Sequence, residues 1–183
     1  MKFSKTKISG LFVIKLEPFQ DERGKFVRVY CENELNDIGH NKRIVQINQS
    51  LTKKKGTIRG MHFQYPPKAE IKMVRCLKGS VFDVAIDLRI KSPTFLKWHG
   101  EILTEDNMMV LYIPEGFAHG FQTLENDSEL LYLHTEIYSS RYEDGITYDD
   151  PKINIKWPLE LTDISERDKS FKLIGEDFQG ILL

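Results

Sequence analysis

A chain of 183 residues, 40% hydrophobic and 29% charged, is long enough to bury its own core and too apolar to stay disordered. Its formal net charge of -1 excludes the general basic field of a nucleic-acid binder, though not a local basic pocket for a phosphate group. No apolar run approaches the roughly 18 residues a membrane helix needs, and MKFSKTKISGLFVIKLEPF lacks the long apolar core and cleavage site of a signal peptide, so we expect no membrane partner and a cytoplasmic location.

Period-two alternation dominates from the start. LFVIKL and KFVRVY read as strands on either side of the turn DERG. ENELNDIG reads as a short helix ending at Gly39. IRGMHFQ, IKMVRCL, VFDVAIDL, MMVLYI and LLYLHT follow as strands, punctuated by KKKG, PPKAE, LKGS, KSPT, PEG and LENDS. In VFDVAIDL, Phe82, Val84, Ile86 and Leu88 share one face, and Val81, Asp83, Ala85 and Asp87 share the other. SERDKSF reads as a second helix, with Ser165 as N-cap and Asp168 three residues on, a capping box with Asp in place of Glu. Many short strands between turns predict an all-β sandwich or barrel. Residues 1–183 read as one domain with short helices and a tail from about residue 160, and Gly175 to Leu183 as either loose or docked on a partner. The two cysteines, Cys31 and Cys76, form no CxxC pair, and Cys76 reads as a buried small hydrophobe.

Several ionisable groups interrupt otherwise apolar strands: Arg59, His62, Lys72, Asp83, His119, Tyr132 and His134. One such residue is ordinarily a satisfied structural group. Burying all of them without partners would cost a few kcal/mol each, so convergence on a polar ligand cavity is the more economical reading. His62 and Gln64 share a face, and Gly60 allows close backbone approach. A metal is not expected. The pair that would read HxH in a metal-binding barrel is His62-Phe63-Gln64, which with His119 leaves two imidazoles and an uncertain Glu70.

The order DERGKF, QINQS, GTIRGMHFQ, EIKMVRCLKGSVFDVAIDLRIKSPTF, IPEGFAHGF, YDDPKINIKWP and ISERD resembles the dTDP-4-dehydrorhamnose 3,5-epimerases over nearly the whole chain. The resemblance implies a double-stranded β-helix (cupin or jelly-roll barrel) and a cofactor-free enzyme acting on a nucleoside-diphosphate 4-keto-6-deoxyhexose. It also implies a homodimer in which an N-terminal strand reaches the neighbour's site. By the same resemblance His62 is the general base and Asp168 its orienting partner. Tyr132 is the proton donor, and Lys72 the cation at the keto oxygen. Arg23, Gln46, Asn48, Arg59, His119, Glu143 and Arg167 fall where the family contacts the nucleotide sugar, and Phe26 and Tyr138 where it stacks the base.

These residue types suit the chemistry. A 4-keto group acidifies the hydrogens on carbons 3 and 5, a near-neutral imidazole is an economical base for them, and inversion needs an acid on the opposite face. The absence of a Gly-rich dinucleotide fingerprint agrees with a redox-neutral reaction. Arg28 departs from the family, which usually carries Glu there near the thymine edge. Arg only donates hydrogen bonds. Either the enzyme prefers another base, CDP-sugars leading, or Arg28 points elsewhere. The number of carbons inverted, and a related 3,4-ketoisomerase activity, stay open at this stage.

Overall fold

The computed structural model describes residues 1–183. The strands are β1 (Lys2–Lys5), β2 (Phe12–Lys15), β3 (Phe19–Asp21), β4 (Gly24–Phe26), β5 (Gln46–Thr52), β6 (Ile58–Gln64), β7 (Lys72–Lys78), β8 (Ser80–Asp87), β9 (Trp98–Thr104), β10 (Met109–Ile113), β11 (Phe117–Thr123), β12 (Ser128–His134) and β13 (Glu143–Gly145). Two short helices, α1 (Glu32–Leu35) and α2 (Glu166–Lys169), complete the set. One sheet has the order β1-β2-β10-β7-β12-β5 and the other β13-β6-β11-β8-β9, with β3-β4 a separate hairpin. Every strand pair is antiparallel. Two facing antiparallel sheets of this kind are the jelly-roll barrel the resemblance implied.

Alternation places the core. Val74, Cys76, Leu111 and Leu130 of the first sheet meet Val81, Ala85, Leu103 and Phe121 of the second in one buried cluster. The opposite side of β8 is buried too. Val84, Ile86 and Leu88 are covered by Ile146, Ile153, Ile174 and Ile181 from the C-terminal segment. VFDVAIDL is therefore apolar on one face and mixed on the other, yet exposed on neither.

Four expectations change. KFVRVY is a strand only through Phe26, because Val27, Val29 and Tyr30 instead leave the hairpin to pack over the outer face of the first sheet. ENELNDIG splits into α1 and a 3-10 turn (Asn36–Ile38), which ends at Gly39 with φ 79°. Beyond residue 160 there is one helix, α2, rather than several. The tail docks on its own chain: the Ile181 amide donates to Leu88 O at 2.6 Å, and the Ile90 amide to Ile181 O at 3.0 Å. Cys76 is buried, as expected, and both cysteines are free.

Gly60 fixes the meeting of β6 and β11. Its φ is 120°, and a Cβ there would sit 2.5 Å from Gly120 Cα and 2.7 Å from His119 O. Backbone atoms cannot yield as a flexible side chain does. Gly60→Ala is expected to lower stability by about 2–4 kcal/mol in urea unfolding, through strain and overpacking together.

Candidate active site

A cavity of about 560 Å³ opens between the sheets. That volume lies within the usual range for a small-molecule site. β6 supplies Arg59 and His62, and β11 supplies His119 opposite, since His62 and His119 are register partners. β7 supplies Lys72, and β12 supplies Tyr132 and His134. β5 supplies Gln46, Asn48 and Ser50 by simple alternation. Tyr138 and Glu143 close one side.

His62 Nε2 lies 2.8 Å from Asp168 Oδ1. The other carboxylate oxygen accepts from the Gly60 amide at 3.1 Å. Burial raises the Asp168 pKa, but the hydrogen bonds from His62 and Gly60 outweigh it and hold the carboxyl below its ordinary value. Ser165 caps α2 by accepting from the Asp168 amide at 3.1 Å. The reciprocal half of a capping box is not made, because the Asp168 carboxylate is used on β6. The motif that reads as a helix start thus turns an acid toward a strand.

Tyr132 Oη lies 3.0 Å from Ser50 Oγ. Burial pushes its phenol pKa up, with Ser50 and Arg59 acting in the opposite sense and Asp83 adding to the rise. The ring meets His119 edge-on at 6.3 Å and stacks on His134 at 6.1 Å. His62, His119 and Tyr132 therefore follow one another around a single cavity. His119 Nε2 is 2.9 Å from both oxygens of the fully buried Asp83.

Glu143 joins the Tyr138 hydroxyl, which donates to it at 2.7 Å, to the Arg167 guanidinium at 2.5 Å. Gln46 accepts from the Tyr138 amide at 3.1 Å. Arg167 and Asp168 stand behind the cavity wall rather than lining it. The structure does not bring every expected residue together. Arg23 and Phe26 lie on the exposed β3-β4 hairpin, where Arg23 pairs with Asp21 at 2.6 Å. Arg28 donates to Glu34 at 2.6 Å and does not line this chain's own cavity. His134 lines the cavity as the convergence of ionisable groups predicted, and Ser50, Gln49 and Glu70 line it without having been expected there as substrate contacts. Continuing the alternation of QINQS beyond Asn48 would have found Ser50. Gln64 is spent on backbone, donating to Lys68 O at 3.0 Å and accepting from the Ser139 amide at 2.6 Å. No three His, Cys, Asp or Glu side chains converge as a ligand set.

The family model for dTDP-4-dehydrorhamnose 3,5-epimerase matches residues 5–176. The chain belongs to this family. A family relative, the dTDP-4-dehydrorhamnose 3,5-epimerase of Methanothermobacter thermautotrophicus, is 42% identical over 179 residues, 96% of each chain. The Legionella pneumophila dTDP-6-deoxy-D-glucose-3,5-epimerase, solved in complex with dTDP-4-keto-L-rhamnose, superposes with a TM-score of 0.90 at 38% identity, over 94% of this chain and 92% of that one. The Bacillus anthracis dTDP-4-dehydrorhamnose 3,5-epimerase, with TDP and PPi bound, gives 0.91 at 37% identity over 94% and 99%. The cupin-type jelly roll is thus the family fold, and the chain is a nucleotide-sugar epimerase by family.

A carboxyl held below its ordinary pKa stabilises the fold above its unfolded pKa, near 3.9 for Asp, and loses that contribution as pH falls through the folded value. Asp168→Asn is therefore expected to cost about 1–3 kcal/mol near neutral pH. Urea titrations of both proteins should converge as the pH is lowered below about 4.

Proposed function

We propose that this protein inverts carbon 3, carbon 5 or both of a dTDP-linked 4-keto-6-deoxyhexose, with His62 as base and Tyr132 as acid. The observation that carries this reading is the His62–Asp168 pair and the Tyr132 phenol in one cavity. Asp168 accepts from Nε2, which leaves Nδ1 as the basic nitrogen. That nitrogen removes the hydrogen next to the keto group, and the electron pair moves onto the keto oxygen as an enolate. Lys72 stands in the same cavity to stabilise the oxyanion. Tyr132 then protonates the carbon from the other face. Burial keeps its phenol neutral, so it holds the proton it must give. Gln46, Asn48, Arg59, His119, Tyr138 and Glu143 bind the remainder of the substrate in this reading, with Arg59 on the diphosphate and Arg167 acting from behind the wall through Glu143.

The same reading makes the active form a homodimer in the cytoplasm. Phe19 and Phe26 of the hairpin are 76% and 72% exposed, an unusual setting for two aromatic rings on one short hairpin. A second copy would cover them, and Arg23 and Phe26 would then serve the neighbour's cavity. Sedimentation equilibrium is expected to give a dimer, and a monomer at working concentrations would end this part of the reading.

Incubation with dTDP- and CDP-linked 4-keto-6-deoxyhexoses in deuterated water, followed by NMR, tests the reaction. Deuterium is expected at the inverted carbons of the dTDP sugar. His62→Ala should slow exchange about 10²–10⁴-fold. Tyr132→Phe should keep exchange from the His62 side while inversion falls at least about 10²-fold. Migration of the keto group without inversion would instead indicate a ketoisomerase, and faster turnover of the CDP sugar would move the base preference.

A further inference from the structure

Glu70 sits two residues before Lys72, the first residue of β7, and its side chain meets that of Lys72. Its side chain is only 9% exposed, and each carboxylate oxygen has its own partner. Oε1 is 3.1 Å from Lys72 Nζ, and Oε2 is 2.8 Å from His134 Nδ1. Register makes this possible, since His134 on β12 is the cross-strand partner of Lys72 on β7. Burial raises the Glu70 pKa, but the Lys72 charge and the His134 contact outweigh it, so the group is an ionised carboxylate at neutral pH.

An ionised carboxylate only accepts hydrogen bonds. His134 Nδ1 must therefore carry a hydrogen, and in the singly protonated ring Nε2 is then the acceptor. Nε2 is 3.4 Å from Asn48 Nδ2, which only donates. The Asn48 amide, in a residue that lines the cavity, thus faces His134 with Nδ2. The polarity of the whole row, from β7 through β12 to β5, is set at Glu70.

We propose that Glu70 is a positioning residue, fixing the Lys72 ammonium directly and, through the His134 tautomer, turning the Asn48 carbonyl toward the substrate. The cavity wall then offers a cation and a neutral acceptor side by side. That pair fits a sugar presenting a developing oxyanion beside a hydroxyl donor. The proposal rests on the epimerase reading for its substrate, though not for its hydrogen-bond pattern. A glutamine at 70 has the same length but one acceptor and one donor, so it cannot accept from Lys72 and His134 with separate oxygens.

Two measurements test this. In the wild-type protein with ¹⁵N-labelled histidine, long-range ¹H–¹⁵N NMR is expected to show His134 with its hydrogen on Nδ1 and Nε2 unprotonated. In Glu70→Gln, with the melting curve checked, kcat is expected to fall about 10- to 100-fold and KM to rise, as small misplacements of reacting groups do. The His134 tautomer should be altered in the same variant. A wild-type hydrogen on Nε2 alone, or a folded Glu70→Gln with kcat within about twofold of wild type, overturns the proposal. Should Glu70→Gln not fold, the wild-type tautomer decides by itself. Wild-type turnover is read separately: its absence would remove the proposed reaction and leave the NMR result to judge the positioning role.

Discussion

Asp168 spans the gap between the C-terminal segment and the barrel with two hydrogen bonds from β6, one from the His62 ring and one from the Gly60 amide. Most of the site depends on this contact. It fixes which imidazole nitrogen carries the hydrogen, and it anchors α2, a helix of only four residues that could not persist alone. The same helix carries Arg167 to Glu143 and so steadies the Tyr138 side of the cavity. The wall behind His62 is closed by Phe171, whose ring meets the imidazole edge-on at 5.6 Å.

The cavity is unusually rich in imidazole–carboxylate pairs: His62 with Asp168, His119 with Asp83, and His134 with Glu70. Each carboxylate is buried or nearly so, and each is satisfied by a named donor. An apolar core could not hold such groups without partners, which is why each imidazole is paired with a carboxylate. Two cations also line the cavity, Arg59 and Lys72, the latter paired with Glu70.

Alternation made most of the barrel legible. IRGMHFQ, IKMVRCL, VFDVAIDL, MMVLYI and LLYLHT are strands where the pattern puts them. The edge and cover elements were less so. KFVRVY has a strand pattern but leaves the hairpin after Phe26, because packing of Val27 and Val29 on the neighbouring sheet outweighs local propensity. β5 and β9 were not set out as strands, and β11 only as the apolar surroundings of His119: QINQS alternates without a strongly apolar face, and FAHGFQT is buried at every position and so shows no alternation of burial. Among site residues, His62, Lys72, Tyr132 and His119 stood out as polar groups in apolar strands. Ser50 did not, because a serine in a polar strand carries no such contrast.

By itself the sequence determined the all-β class, the faces of the central strands and, through its ordered motifs, the family. These are local or linear properties, carried by period-two spacing and by residues whose order along the chain is enough. The resemblance already implied Asp168 for His62; only the tertiary structure made that contact, gave Asp83 to His119 and Glu70 to His134, closed the tail on Leu88 of its own chain and held Arg28 on Glu34. Those contacts join residues between 6 and 106 positions apart, and hydrogen-bond partners at such separations are chosen by strand register and sheet packing, which no local pattern encodes.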